Sequence, residues 1–352
     1  MKSDIVAAEA TRLWRVRACA SLRRIFSLVT SAATILASLP TLAAFATNSP
    51  TVILVVGAPG EPEFGSNFVE QVRLWEKTCE KGNAKTLRIG IEKEADLTDH
   101  DQLKQVLAEQ PTNHTDPLWL VFIGHGTFDG KEARFNLRGP DVSDTELAEW
   151  LKPFQRPVVL VNCASASAPF LKKLSATNHV VITATRSGSE HNYARFGEYL
   201  AKAIADPASD LDKDGQISVL EAFLVASRRV TEFYKSEGRL ATEHALLDDN
   251  GDGLGTPADW FRGVRAVKKA KDGASSDGIR ASQFHLVLSP EDRAVPADAR
   301  GRRDALELEV AKLREAKSQM AEEEYYRQLE AALLKLARLQ EPQGSVTNNP
   351  TR

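Results

Sequence analysis

Short apolar runs alternate along this chain with stretches in which apolar residues recur at helical spacing. Most runs are rich in Val, Ile and Leu and end at Gly, Cys or a polar residue, which is typical of strands buried on both faces. The predicted strands cover residues 51–57, 87–91, 118–123, 157–162 and 180–184. The predicted helices cover residues 68–77, 98–109, 144–151 and 190–205. This alternation predicts a three-layer α/β domain with a mostly parallel central sheet between helices.

The chain begins with the pattern of an export signal. Lys2 and five arginines precede a charge-free apolar run over 25–46, which ends in Ala44-Phe45-Ala46. A basic head, an apolar segment and a small-x-small ending predict a secretory signal over 1–46, cleaved after Ala46. An uncleaved membrane anchor is the alternative, since a run of this length could span a bilayer. Both interpretations place the remaining chain outside the cytoplasm, in the periplasm or secreted.

The last part of the chain has helical composition. Residues 289–352 are predicted as a tail separate from the α/β domain over 47–288, with helices rich in Leu, Ala, Glu, Lys and Arg. Leu306, Val310 and Leu313 form one apolar stripe, and a second stripe begins at Leu329 without sharing a strict heptad phase with the first. Two helices with a break near 321–324 are therefore expected. Their expected role is packing on the domain, on a second copy of the chain or on a protein partner.

Composition excludes several classes of protein. The 352 residues include 45 Lys and Arg against 48 Asp and Glu, and the resulting net charge of −3 argues against a nucleic-acid-binding protein. Three cysteines are too few for a disulfide scaffold. Neither glycine pattern of the common nucleotide-binding loops is present.

A histidine and a cysteine stand at the ends of successive predicted strands. His125 and Gly126 follow the strand over 118–123, and Cys163 follows the strand over 157–162. Since the carboxyl ends of adjacent parallel strands meet at one edge of a sheet, both side chains are expected there. A histidine that holds the proton of a thiol activates it as a nucleophile, and the Gly126 and Cys163 amides could stabilise an oxyanion. Buried structural roles for both His125 and Cys163 remain open. Ser165 and Ser167 are weaker candidate nucleophiles, because the glycines expected around a nucleophilic serine are missing. A disulfide between Cys163 and Cys79 is not favoured.

These residues resemble the caspase–legumain superfamily of cysteine endopeptidases, and more closely its bacterial legumain-like members. The similarity lies in VFIGHG (121–126) and VVLVNC (158–163) and extends over about residues 51–205. It implies Cys163 as nucleophile, His125 as acid and base, and Gly126 as an oxyanion donor. Two departures stand out: Val161-Asn162 replaces the usual Glu-Ala, and an Ala-Ser-Ala-Ser run replaces the usual Gly-bearing turn. For the specificity pocket the candidates are Glu61, Glu63 and Arg186, which could also be solvated loop charges.

An Asp-rich loop carries the most specific motif of the chain. The twelve residues 210–221 place oxygen-bearing side chains at loop positions 1, 3, 5, 7, 9 and 12, with Gly215 at the turn, as in a calcium-binding EF-hand. The predicted calcium ligands are Asp210, Asp212, Asp214, Gln216, Ser218 and Glu221. Helices are expected on both sides of this loop. The alternative is an Asp-capped turn before a helix.

A second Asp-rich run over 248–254 repeats the first half of this pattern. Asp248, Asn250 and Asp252 would be ligands, while position 12 falls on Asp259 and the second half contains Gly255 and Pro257. It is predicted as a weaker site within one Asp-rich segment over 206–262. In an exported protein such calcium is expected to be structural.

Together these features predict an exported cysteine endopeptidase that hydrolyses peptide bonds of a peptide or protein substrate through Cys163 and His125, with calcium stabilising its fold. The alternative is a catalytically inactive, calcium-binding scaffold or interaction protein on the same fold.

Overall fold

The computed structural model describes residues 49–92, 96–273 and 275–340. The predicted export signal over 1–46 lies outside these described residues. Within the described ranges, no helix combines the length and the apolarity that crossing a membrane requires.

A seven-stranded sheet forms the centre of the domain. Its strands occur in the order β10-β9-β8-β7-β3-β1-β2, and the five strands β2, β1, β3, β7 and β8 are parallel. These five are the strands predicted from the sequence, so the mostly parallel α/β sheet is confirmed. The strands of the sheet are β1 (Thr51–Val56), β2 (Lys85–Ile89), β3 (Leu118–Ile123), β7 (Val158–Asn162), β8 (His179–Thr183), β9 (Leu246–Asp248) and β10 (Thr256–Pro257).

Helices connect the strands and continue into the tail. Two N-termini show why helices begin where they do: the Thr98 hydroxyl accepts from the Asp101 amide, and Ser143 and Glu146 form a reciprocal capping box. The helices are α1 (Pro62–Lys81), α2 (Asp99–Ala108), α3 (Asp144–Leu151), α4 (Ala168–Leu174), α5 (Phe196–Ala205), α6 (Val219–Ser236), α7 (Pro290–Ala294), α8 (Ala297–Ala316) and α9 (Glu322–Gln340).

Apolar cores lie on both faces of the sheet. Val52 and Leu54 of β1 pack in the core formed with α1, α5 and α6, while Ile53 and Val55 pack in the core formed with α2, α3 and α4. Successive strand residues point to opposite faces, so an entirely apolar strand must be covered twice. This arrangement gives the three layers predicted from the continuous apolar runs.

The shortest elements were not predicted from the sequence. A small antiparallel sheet follows β3, and β9 and β10 extend the central sheet next to the second Asp-rich run. Strands of two or three residues are too short to show a hydrophobic period. The additional short strands are β4 (Gly126–Phe128), β5 (Ala133–Phe135), β6 (Val142–Ser143), β11 (Phe261–Arg262) and β12 (Arg265–Ala266).

The tail forms two helices with a break near the predicted position. A short 3₁₀ turn over Lys317–Gln319 separates α8 from α9, and Val310, Leu313, Tyr325 and Ala332 form a small core between them. The tail is joined to the domain by polar contacts, such as the Gln283 amide donating to Asp304 O at 2.8 Å. Contact with a second copy through these helices remains a prediction.

Candidate functional site

The two candidate catalytic residues follow adjacent strands at one edge of the sheet. Strands β3 and β7 are parallel neighbours, and Phe122 stands opposite Asn162 in their register. Cys163 therefore follows its strand immediately, and His125 follows the neighbouring strand two residues beyond Ile123. The topology places them as the sequence predicted.

Cys163 is enclosed by helix residues at this edge. The residue is only 4% exposed, and it belongs to the core beneath α1 and α5. A Cβ atom placed on Gly197 would lie 2.9 Å from Cys163 Sγ and 2.8 Å from Gln71 Oε1, so the sulfur faces the first turn of α5. Within the described residues no hydrogen bond joins this sulfur to His125. Cys163 and Cys79 are both free thiols, so the structure contains no cystine at this position.

The surroundings of Cys163 disfavour its thiolate. Burial, with a smaller contribution from the negative charge of Glu243, raises the pKa of the Cys163 thiol to about 12. The Glu243 carboxylate is itself buried and accepts hydrogen bonds from the amides of Arg195 and Phe196 at the start of α5. An activated cysteine needs a positive neighbour and access to solvent, and among the described residues Cys163 has no positive neighbour and is only 4% exposed.

His125 occupies an aromatic pocket. Its ring lies 4.9 Å from the ring centre of Phe64, 5.4 Å from that of Phe68 and 5.9 Å from that of Tyr193. Burial lowers the pKa of His125, and the ring is therefore neutral at pH 7. Its Nε2 lies 3.3 Å from Pro59 O, which fits an N–H donor and leaves Nδ1 as the free acceptor.

Both amides expected at an oxyanion site have other acceptors. The Cys163 amide donates to Phe122 O at 3.0 Å and continues the β3–β7 ladder. The Gly126 amide donates to Ser165 Oγ at 3.3 Å. The predicted pair of free amides is therefore not formed in this structure, because one belongs to the sheet and the other binds the neighbouring loop.

The loop after Cys163 is buried and includes a residue in the left-handed region. Ser165 and Ser167 are 3% and 1% exposed, and their hydroxyls bind Gly126 and Thr185. Ala166 has a φ of 52°, where glycine is the favoured residue. The turn thus keeps the backbone shape of a Gly-bearing turn with alanine in that place.

The candidate specificity residues are exposed and are not brought into mutual contact. Neither the Glu61 nor the Glu63 carboxylate has a hydrogen bond or ion pair within the described part of the chain. Glu61 and Glu63 follow β1, whereas Arg186 follows β8, and the strand that ends at Cys163 lies between these two strands in the sheet. The Arg186 Nε lies 3.5 Å from Glu190 Oε1.

The first Asp-rich loop lies between α5 and α6 and brings its acidic side chains together. Carboxylate oxygens of Asp210, Asp212 and Asp214 all lie within 4.8 Å of one another. Burial and the neighbouring carboxylates raise the pKa of Asp212 to about 6. Such a concentration of negative charge suits a cation.

Hydrogen bonds within this loop join each acidic side chain to backbone amides two to five positions further along the loop. The carboxylate at position 1, Asp210, accepts from the amides at positions 4 and 6 at 2.6 and 3.1 Å. Asp212 at position 3 accepts from position 5 at 3.3 Å, and Asp214 at position 5 accepts from position 7 at 3.0 Å. The backbone has positive φ at positions 4 and 6, which are Lys213 and Gly215.

The second Asp-rich loop repeats this frame of hydrogen bonds and positive φ angles position by position. Asp248 accepts from the amides at positions 4 and 6, both at 3.0 Å, and Asn250 and Asp252 each accept from the amide two residues ahead at 2.8 Å. Positive φ again occurs at positions 4 and 6, which are Gly251 and Gly253. The two loops therefore share one local structure although only the first was predicted as a full motif.

A residue outside the second loop takes the place of its twelfth position. In the first loop, Glu221 Oε1 accepts from the amides at positions 2 and 3, and Oε2 accepts from the hydroxyl at position 9. In the second loop, Asp277 Oδ1 accepts from the amides at positions 2 and 3, at 3.0 and 3.3 Å. Its Oδ2 accepts from Thr256 Oγ1, the hydroxyl at position 9, at 2.5 Å.

The twelfth residue of the second loop by sequence count, Asp259, is exposed and does not take this place. Asp277 was not predicted as a site residue, and no spacing rule in the sequence connects it to residue 248. The sequence offers only a weak signal, the threonine at position 9, which matches the hydroxyl-bearing Ser218 of the first loop and in the structure donates to Asp277.

Comparisons with known proteins return weak structural similarities. No protein-family model matches the chain, and no curated protein matches it. The crystal structure of the Drosophila initiator caspase Dronc aligns at 13% identity and a TM-score of 0.38, covering 66% of this chain and 95% of that one. Caspase-1 from Spodoptera frugiperda aligns at 8% identity and a TM-score of 0.38, covering 58% and 87% respectively. Function therefore has to be inferred from the residues of this chain.

Proposed function

We propose that this chain is a non-catalytic binding protein whose Asp-rich segment is stabilised by calcium. The observation that carries this proposal is that the Cys163 thiol is buried and not activated. Its sulfur is buried against Gly197, lacks a hydrogen bond to His125, and has its pKa raised to about 12 by burial and by Glu243. A thiol in this environment forms a negligible fraction of thiolate at neutral pH.

Alkylation by iodoacetamide tests this state of the thiol. In a Cys19→Ala/Cys79→Ala background, which leaves Cys163 as the only thiol of the sequence, Cys163 should at pH 7.5 react more slowly than free N-acetylcysteine. It should reach the rate of the free thiol only after unfolding in urea. His125→Asn should leave the rate unchanged, because the imidazole makes no hydrogen bond to the sulfur. A Cys163 that alkylates faster than the free thiol, and loses this advantage in His125→Asn, would overturn the proposal.

A cysteine endopeptidase is the second candidate. It is favoured by one observation, the emergence of His125 and Cys163 from adjacent parallel strands at one edge. Catalysis would require the segment with Tyr193 and Gly197 to move, because these residues lie against His125 and Cys163 respectively. Cys163 would then attack the peptide carbonyl and form an acyl-enzyme, while His125 transfers the proton to the leaving amine. Cleavage of a peptide library by the wild type but not by Cys163→Ala would establish this candidate.

Calcium binding is supported by the donor sets of both loops. The first offers clustered carboxylate oxygens from Asp210, Asp212 and Asp214, with Glu221 at position 12, and hard oxygen donors are what calcium requires. The second offers Asp248, Asn250 and Asp252 in the same frame, with Asp277 in place of the missing glutamate. These residues fit the ion, which would neutralise their mutual repulsion and join distant segments of the chain.

A melting scan with calcium and with EGTA tests the stabilising role. Calcium should raise the midpoint of unfolding, and Asp212→Ala should remove a large part of the rise. Magnesium at the same concentration is the control for ionic strength. An unchanged midpoint with calcium in the wild type would remove calcium from the proposal without affecting the argument about the thiol.

A further inference from the structure

A cavity of about 430 Å³ lies beyond the carboxyl end of β8, and its lining includes Arg186, one of the candidate specificity residues. Ala184 and Leu246 form its base, α6 forms one wall, and the segment that ends at Trp260 forms another. Neither His125 nor Cys163 lines it. Ligands of parallel α/β sheets bind at this edge, and the volume lies in the usual range for small-molecule sites.

The interior of the cavity is mainly apolar. Phe196, Val230, Leu246 and Pro257 contribute hydrocarbon surface, and the half-buried Trp260 contributes an aromatic face. Such a lining stabilises an apolar group of the size of one or two side chains by removing it from water.

Glu190 binds Arg186 and His244, two residues that line one side of the cavity. Its Oε2 accepts from the amides of Arg186 and His244 at 3.0 and 3.2 Å, and its Oε1 lies 2.6 Å from His244 Nδ1. Because Nδ1–H is donated to Glu190, His244 can donate a hydrogen bond to a ligand carboxylate only through Nε2 and only as the imidazolium. Within the described residues the Arg186 guanidinium makes no hydrogen bond, although its Nε faces Glu190 at 3.5 Å.

The polar groups available to a ligand are mainly donors. Ser227 Oγ is buried at the wall and has no hydrogen-bond partner in the part of the chain that the structure describes, which is costly unless a ligand or water supplies one. The Glu243 carboxylate also borders the cavity, but it already accepts from two amides and from the Tyr234 hydroxyl. The other carboxylate, Asp259, is exposed. Among the lining residues Arg186 is the one lysine or arginine, and beside its ion-pair partner Glu190 at 3.5 Å it is the group that can also pair with a ligand carboxylate.

We propose that this cavity binds an apolar carboxylate, with its hydrocarbon or aromatic group against Trp260 and Val230 and its carboxylate on Arg186 and His244. Guanidinium groups bind carboxylates through paired hydrogen bonds, which gives this end of the cavity its selectivity. The same chemistry is present in a free organic acid and in the C-terminal residue of a peptide. The inference rests on the proposed binding role and names the ligand class.

Titration calorimetry with three probes tests the proposal: N-acetylphenylalanine, its amide, and a tetrapeptide ending in phenylalanine with a free carboxylate. The acid should bind at least tenfold more tightly than the amide. Arg186→Gln should weaken the acid at least tenfold, whereas Arg265→Gln, at an exposed arginine outside the cavity, should leave it unchanged. Val230→Trp should abolish binding of all three probes because it fills the cavity, with its melting midpoint as the check on folding.

The outcomes separate the sources of the carboxylate and the two proposals. Binding of the acid without the tetrapeptide assigns a free organic acid, and tighter binding of the tetrapeptide assigns a peptide C-terminus. Equal binding of acid and amide, binding that Arg186→Gln does not weaken, or no binding of any probe would overturn the inference. The titrations are repeated in Cys163→Ala, where the affinity for the probes should be unchanged. The test of the cavity therefore does not depend on the thiol. A reactive Cys163 would refute the proposed function without affecting the result for the cavity.

Discussion

The two Asp-rich loops have the same hydrogen bonds and backbone conformation over positions 1 to 7, but the carboxylate that closes each loop, by accepting from positions 2, 3 and 9, comes from a different place in the chain. Loop 210–221 carries its closing carboxylate, Glu221, in the first turn of the helix that follows it. Loop 248–254 is followed by the short strand β10, and its closing carboxylate is Asp277, which comes from a distant part of the chain. In both loops this carboxylate accepts from the amides at positions 2 and 3 and from the hydroxyl at position 9.

The difference separates local from tertiary requirements. The turns at positions 1 to 7 form because each acidic or amide side chain accepts from an amide a few residues ahead, which needs no other segment. The closing acceptor needs only the correct position and charge, and it can come from any segment that the fold brings there. A loop that fails a sequence pattern at position 12 can therefore still be complete in three dimensions.

The largest expected effect is that of Glu221→Ala. Glu221 is 2% exposed, and its removal leaves the buried or half-buried amides of Leu211, Asp212 and Ser218 without their acceptor. The free energy of unfolding should fall by about 3 kcal/mol, from several lost hydrogen bonds. Urea denaturation measures it, with the exposed Glu232→Ala on the same helix as control. A loss equal to that of the control would contradict the closing role of Glu221.

Asp277→Ala should come next and is the sharpest test of the equivalence. Asp277 is 3% exposed and accepts from the amides of Asp249 and Asn250 and from the Thr256 hydroxyl. The expected loss of about 2 kcal/mol is smaller because fewer donors lose their acceptor. The proposed stabilisation by calcium should also shrink in this variant and remain in the exposed Asp272→Ala. An Asp277→Ala protein as stable and as responsive to calcium as Asp272→Ala would break the comparison.

A smaller pair of effects tests the shared backbone. Gly215 and Gly253 both stand at position 6 with positive φ, and a Cβ at either would meet no atom closer than 3.7 Å. Alanine at each should therefore cost about 1 kcal/mol, from the left-handed backbone alone. Gly301→Ala in α8, with a helical φ and open space, should be neutral or stabilising. Clearly unequal costs at 215 and 253 would show that the two frames differ.

The smallest effect is expected at Asp259. Counting from residue 248 makes it the twelfth position, but it is exposed and the acceptor role belongs to Asp277. Asp259→Asn should change neither the unfolding free energy nor the calcium-induced rise in melting midpoint beyond experimental error. A loss comparable with that of Asp277→Ala would restore the interpretation from sequence count.

The same distinction applies to the edge with Cys163. Strand order and the end of β7 could be predicted, since they depend on apolar runs that must be buried on both faces. The state of the thiol could not be, because it depends on Gly197 and Glu243, which come from α5 and from the segment before β9. Gly197 allows α5 to approach the sulfur, and Glu243 binds the start of that helix.

By itself, the sequence determined the elements that follow from short-range physics: the five apolar strands, the helices capped by their own residues, the break in the tail, and the turns of both Asp-rich loops. Each depends on side chains within a few residues of one another or on apolar periodicity along one segment. Only the tertiary structure decided that Asp277 closes the second loop, that Glu190 holds Arg186 and His244 beside a cavity, and that Cys163 is buried. Hydrogen bonding, burial and electrostatic interaction act through space, so residues far apart in sequence set these properties.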